Sequence, residues 1–256
     1  MQLEKTIREE LARPEKDILL MTHIVLGYPS LTVNREVIKQ MVENGVELIE
    51  MQIPFSEPMA DGPTIVRANQ EAIENGTTVK ACMEFAAEMC SEHNTSFLFM
   101  TYYNILYKYG MENFFKKAKE IGIKGFIIPD LPPEEGEEFW SLAAQYDIAP
   151  ILIYAPTSTE ERMQELAASA KGFIYCVARK GVTGRQTDFD AAFDDYMARC
   201  HRGTALPLAV GFGISNRDDI AYLTGKADIG VIGTATINLV DDKGPEAVGP
   251  FIASLR

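Results

Sequence analysis

The chain has 256 residues, of which 46% are hydrophobic and 24% charged, enough for one substantial core and close to the ~250 residues typical of a single α/β barrel. Its formal net charge of -13 argues against nucleic acid or an anionic membrane as a main partner, because both select basic surfaces; an anionic small substrate stays open if local donors outweigh the overall field. Cys82, Cys90, Cys176 and Cys200 form no C-x-x-C pair, and His23, His93 and His201 are scattered, so neither a disulfide framework nor a zinc site is expected, and no metal or other cofactor is called for.

Met1–Asp17 is polar and helical in pattern, without an apolar leader, and no run is long enough to span a bilayer. The expectation is a soluble, cytoplasmic protein. Ile18–Leu26 is an apolar run read as a first strand; Ser30 then opens a helical pattern through Val33, Val37, Ile38 and Met41, closed by Gly45. The same grammar recurs. Further strands are predicted at Glu47–Ile53, Ser96–Thr101, Lys124–Ile128, Ile148–Tyr154, Phe173–Val177, Leu206–Val210 and Ile229–Ile232. Between them a helix runs from Thr78 through Cys90 and another over Met111–Ile121, stopped by Gly122. Pro132-Pro133-Glu134-Glu135 is read as a helix start, and Ser158 with Glu161 as a capping box.

Eight short strands alternating with helical segments specify parallel crossovers, and a (β/α)8 TIM barrel, with a short extra N-terminal helix, is the economical closure. An open doubly wound sheet is the competing topology, disfavoured by the strand count and by the lack of a G-x-G-x-x-G first turn. No linker suggests a second domain, so residues 1–256 are expected to form one.

Within the second strand, Ile49, Met51 and Ile53 share one face and Leu48, Glu50 and Gln52 the other. Glu50 therefore points where apolar bulk is expected. A salt-bridged strand Glu is the plain alternative, but a loop stiffened by Pro54, Pro58 and Pro63 carries a second carboxylate, Asp61. Late in the chain, glycine clusters recur at Gly181–Gly184, Gly211–Ser215 and Gly230–Thr234. Glycine-rich turns and helix N-termini bind phosphate through backbone N–H groups, commonly after the seventh and eighth strands of a barrel. Arg179, Lys180 and Arg185 lie close by in sequence, as phosphate contacts or as ordinary solvated charges.

These residues resemble the tryptophan synthase α subunit family, indole-3-glycerol-phosphate lyases. The string IPFSEPMADGPTI is similar to that family's IPFSDPLADGP signature, and MTYYN, IIPDLPPEE, GVTG and GFGIS resemble later landmarks in the same order. The resemblance implies a (β/α)8 barrel that cleaves indole-3-glycerol phosphate to indole and glyceraldehyde 3-phosphate, without a cofactor of its own. It also implies a pyridoxal-phosphate β subunit as partner, in an α2β2 heterotetramer, that receives the indole. Carried onto matching positions, Glu50 is the acid/base and Asp61 meets the indole N–H. Gly184, Gly213, Gly233 and Thr234 cradle the phosphate, while Met100, Tyr102, Ile153 and Tyr175 line the indole pocket, with barrel core the alternative for Met100 and Ile153. Thr183 helps to close the site, and Pro54, Glu57, Asn104 and Pro132 face the β subunit. Several positions depart from the family's pattern. Gln52 replaces a common glycine, where its amide is expected to crowd or hydrogen-bond Glu50, and His23, Val25, Tyr28, Glu57 and Ala178 also differ. They leave open a weakly active or inactive activator of a β subunit, or a phosphate-binding lyase with an altered substrate.

Overall fold

Runs of branched and aromatic residues, each too short for a helix and each followed by an amphipathic segment, leave the chain few ways to bury its apolar surface. The computed structural model, which describes residues 1–177, 191–211 and 213–256, closes them into a parallel barrel. The elements follow in the order α1 (Gln2–Leu11), β1 (Leu19–Val25), α2 (Leu31–Glu43), β2 (Leu48–Gln52), α3 (Pro63–Glu74), α4 (Val79–Glu92), β3 (Ser96–Met100), α5 (Tyr103–Tyr109), α6 (Met111–Ile121) and β4 (Gly125–Ile127). They continue as α7 (Glu137–Tyr146), β5 (Ala149–Tyr154), α8 (Glu160–Ser169), β6 (Ile174–Val177), α9 (Ala191–Gly203), β7 (Leu208–Gly211), α10 (Arg217–Leu223), β8 (Ile229–Ile232), α11 (Thr234–Lys243) and α12 (Val248–Ser254). Each strand pairs with the next, and β8 returns to β1 through Leu19 opposite Ile229. The eight expected strands are all present, and the open-sheet alternative is excluded by that closing pair.

Strand parity divides the apolar residues into two cores. Outward side chains such as Ile49, Met51, Phe97 and Phe99 pack under the helices, and inward ones such as Leu19, Met21, Leu48, Leu98 and Ile151 fill the barrel. Leu3 and Ile7 of α1 join the inner group, so the leading helix stoppers the end at which the strands begin. Gly172 permits that approach: it has φ +82°, and a Cβ there would lie 3.0 Å from both Leu3 and Ala149. The site is thereby confined to the opposite end, as in other barrels.

Local sequence signals account for most boundaries. Ser30 and Thr78 accept hydrogen bonds from Val33 and Ala81 N–H groups as N-caps, and Gly122 ends α6 in a left-handed conformation. Four expectations need correction. The cap of α8 is Thr159, which accepts from Arg162 N–H, while the Ser158 hydroxyl closes the preceding turn on Ala155 N–H. Pro133–Glu135 forms a short 3-10 turn and α7 begins only at Glu137. There the Trp140 indole donates to the Pro133 carbonyl at 2.8 Å and lies against Gly136, where a Cβ would clash at 2.7 Å. Helices α3 and α5 were not expected, although Gly62-Pro63 is a legible start for α3. Finally, Gly211 and Gly230 lie within β7 and β8; a Cβ at Gly230 would lie 3.0 Å from Ile214 and 3.1 Å from Ile220, inside ordinary van der Waals contact, so it serves packing.

Among the described residues, no helix is long and apolar enough to cross a membrane. Because α1 supplies the stopper, Ile7→Ala is expected to cost about 2–5 kcal/mol, read as a lower urea midpoint, while the geometry at the far end of the barrel is retained.

Candidate active site

Glu50 enters the barrel because β2 alternates: Leu48 below it belongs to the inner core, while Ile49, Met51 and Ile53 are buried under the helices. The residue is 4% exposed. Parallel register places His23 of β1 directly beside it, and His23 Nδ1 lies 3.2 Å from Glu50 Oε1. Burial by itself would lower the His23 pKa, but attraction and hydrogen bonding from Glu50 outweigh it, and the net direction is upward. His23 Nε2, Glu50 Oε2 and Gln52 Oε1 are buried with no hydrogen-bond partner among the described residues. Unpaired buried polar atoms are uncommon in folded proteins, and three in one strand layer mark a place built for a polar ligand.

The second carboxylate is held from two sides. Gln52 Nε2 donates to Asp61 Oδ2 at 2.7 Å, and the Tyr102 hydroxyl donates to the same oxygen at 3.0 Å. Gln52 therefore serves Asp61, where the sequence suggested that it would press on Glu50; the loop after β2 folds back far enough to bring Asp61 within reach of its amide. The loop is pinned in turn. Ala60 N–H donates to the Tyr102 hydroxyl at 3.1 Å, the Phe55 and Tyr102 rings stack 5.0 Å apart, and Phe55 N–H donates to Asn69 of α3 at 2.9 Å. Burial raises the Asp61 pKa, opposed by the Gln52 hydrogen bond, the charge of His23 and the Tyr102 hydrogen bond; the net direction is upward.

Apolar walls surround this polar centre. Met100 and Tyr102 are buried in the inner core, and Ile153 and Tyr175, neighbours across β5 and β6, pack against it half-buried. The Tyr175 hydroxyl is pushed well above its ordinary pKa by burial, then by Glu50 and Asp61, and a Cβ at Gly211 would sit 2.8 Å from that hydroxyl. Gly211 is thus the space that Tyr175 occupies.

On the β7 and β8 side, Gly213 is exposed at φ +92°. Gly233 is the N-cap of α11 and supplies no side-chain cap, so no side chain of the cap accepts from the N–H groups that begin at Thr234. Gly233 also faces His23, whose Cβ would lie 3.7 Å from an added Cβ. Tyr28, Arg67 and Asp241 tie the two halves together: the Tyr28 hydroxyl donates to Asp241 at 2.8 Å, and Arg67 donates to both and lies over the Tyr28 ring. The helix that follows the Asp61 loop is thereby bound to the helix that follows Gly233. Thr183, Gly184, Ala178, Arg179, Lys180 and Arg185 lie outside the described residues.

The four residues expected at a partner surface are not equivalent. Glu57, Asn104 and Pro132 are exposed, whereas Pro54 is buried and shapes the loop from within. Met59 and Tyr107, 78% and 65% exposed, are apolar side chains on the same β2 and β3 connections that sequence reading did not single out. No local signal distinguishes an exposed Met from a buried one. His23 stands in the sequence only as a departure from the family's pattern, although its inward parity with Met21 is a legible signal; Gln52 shares the Glu50 face, but its bond to Asp61 has no local signal.

A sequence model of the tryptophan synthase alpha chain family matches residues 10–249. The chain belongs to this family. The tryptophan synthase alpha chain of Desulfotalea psychrophila is 64% identical over 256 residues, covering all of both chains. Among solved structures, tryptophan synthase of Mycobacterium tuberculosis superposes with a TM-score of 0.89 at 26% identity, over 99% of this chain and 95% of that one. A tryptophan synthase complex of Pyrococcus furiosus gives 0.86 at 28% identity, over 94% and 98%.

Since Gln52 and Tyr102 both stabilise the ionised form of Asp61, Gln52→Ala is expected to move the Asp61 pKa further upward. Carbon-13 NMR titration of the carboxyl reads this directly, and an unchanged or lower midpoint contradicts the assignment.

Proposed function

We propose that the chain is the indole-releasing lyase of tryptophan biosynthesis, cleaving indole-3-glycerol phosphate to indole and glyceraldehyde 3-phosphate. The observation that carries this reading is a pair of buried carboxylates in one mouth with different surroundings, Glu50 beside a histidine and Asp61 beneath two neutral donors. Environments that differ in this way divide acid/base work between two like groups.

The chemistry needs that division. The ring carbon that bears the side chain is first protonated, which places positive charge on the indole nitrogen. Loss of the side-chain hydroxyl proton then forms the aldehyde, and the carbon–carbon electron pair returns to the ring. Glu50 gives the first proton and takes the second. Asp61 accepts the indole N–H and stabilises its developing charge, oriented through Oδ2 by Gln52 and Tyr102. Met100, Tyr102, Ile153 and Tyr175 form the slot for the flat ring. Gly213, Gly233 and Thr234, with Gly184, hold the phosphate through neutral N–H groups, which reconciles an anionic substrate with a net charge of -13.

The partner is a tryptophan synthase β subunit, a role supported by the similarity to solved tryptophan synthases and by the exposed Met59 and Tyr107 beside Glu57, Asn104 and Pro132. Pro54 acts by shaping the loop that meets it. Residues 1–256 work as a single barrel domain in the cytoplasm. The Gln52 bond to Asp61 removes the crowding of Glu50 that had favoured an inactive chain.

An indole-release assay, run with and without the cognate β subunit, tests this. Wild-type protein is expected to turn over indole-3-glycerol phosphate, with Glu50→Gln slower by ~10²–10⁴-fold and Asp61→Asn also impaired; wild-type protein that stays inactive in both conditions would sink the reading.

A further inference from the structure

We infer that His23 is the proton partner of Glu50: the two side chains hold one proton between them, and His23 recharges Glu50 during turnover. This rests on the lyase reading above and adds a positioning residue to it.

Four observations converge on His23. It shares the inward face of β1 with Leu19 and Met21, which are plain core, so an imidazole in this layer is as anomalous as the Glu50 carboxylate beside it. Parallel register sets the two residues opposite each other, with Nδ1 3.2 Å from Oε1. The other ring nitrogen, Nε2, is buried without a partner among the described residues, whereas a histidine that serves packing alone normally has its buried nitrogens satisfied. And Gly233, across the β1–β8 seam, presents no side chain to His23, whose Cβ would lie 3.7 Å from an added Cβ, so no side chain crowds the residue from that strand.

The surrounding charges favour an imidazolium. The groups facing His23 are Glu50 and the amide of Gln52 on β2, and Asp61 in the loop beyond; Tyr175 of β6 is close enough to feel both carboxylates. Two carboxylates buried in one mouth repel each other, and a cation between them relieves that repulsion. His23 is the cationic group acting on Asp61.

The proton inventory balances. Starting from imidazolium and carboxylate, His23 passes its Nδ1 proton to Glu50, and Glu50 delivers it to the ring carbon. The ionised Glu50 then takes the hydroxyl proton as the carbon–carbon bond breaks, and returns it to Nδ1. The net change is one proton moved from the substrate hydroxyl to the ring carbon, with both residues restored.

Two measurements on the full chain test this. Nitrogen-15 NMR of the histidines follows the His23 ring, identified by the signal lost in His23→Gln. Its midpoint is expected above the ordinary ~6.5 in the wild type and lower in Glu50→Gln. Indole release against pH is expected to decline on the alkaline side as His23 deprotonates. His23→Gln, which keeps an N–H but cannot titrate, should displace that limb from its wild-type position, with kcat lower by ~10²-fold and KM nearly unchanged. An unaltered His23 midpoint in Glu50→Gln, or a His23→Gln enzyme with the wild-type rate and profile, overturns the inference. Should His23→Gln fail to fold, selective labelling and Glu50→Gln alone decide it; should the wild type release no indole, the lyase reading fails while the NMR titration still decides the coupling.

Discussion

Two carboxylates buried in one barrel mouth are the constraint to which the rest of the site answers. Both lose hydration, and burial, with the Glu50 charge adding to it, disfavours the ionised form of Asp61. The structure meets this with a different device for each: the imidazole of His23 lies 3.2 Å from Glu50, and two neutral donors converge on Asp61 Oδ2. The asymmetry is what makes the pair useful. A carboxylate beside a titratable ring can exchange protons, and one beneath an amide and a phenol is oriented to receive an N–H.

That arrangement depends on closure of the barrel. His23 and Glu50 meet because β1 and β2 pair in one register, and His23 looks toward Gly233 because β8 closes on β1. A shift of one residue in β2 would turn Glu50 outward into the layer under the helices and bring Ile49 or Met51 into the mouth. The dense outer core makes such a shift costly, so the same apolar residues that stabilise the fold hold the catalytic register. At the far end, Glu47 accepts from Lys16, Leu20 N–H and Arg256, which ties both terminal segments to the start of β2. With α1 stoppering that end, one accessible mouth remains.

A second set of contacts joins the two functional halves. Arg67 on α3 and Asp241 on α11 meet through Tyr28, whose ring stands on the connection after β1. Helix α3 follows the Asp61 loop and α11 follows the proposed phosphate turn. The two helices are tied together by a cation bonded to a phenol and a carboxylate. Tyr28 was read from the sequence only as a departure from the family's pattern; in the folded chain it is the residue around which the other two assemble.

The amino-acid sequence by itself determined the eight strands, the inward parity of Glu50, the stiff loop to Asp61 and the late glycine turns, because each is a short-range property of period, proline or glycine. It did not disclose that Ser158 closes a turn beside the true cap, that Gly230 serves packing, or that α5 forms, since these depend on what lies across a neighbouring element. Nor could it show which partner Gln52 chooses, or that Arg67 finds an aspartate 174 residues away. Tertiary structure decided those pairings for a physical reason: hydrogen bonds and ion pairs act over a few ångströms, and only strand register and barrel closure bring residues remote in sequence to within that distance.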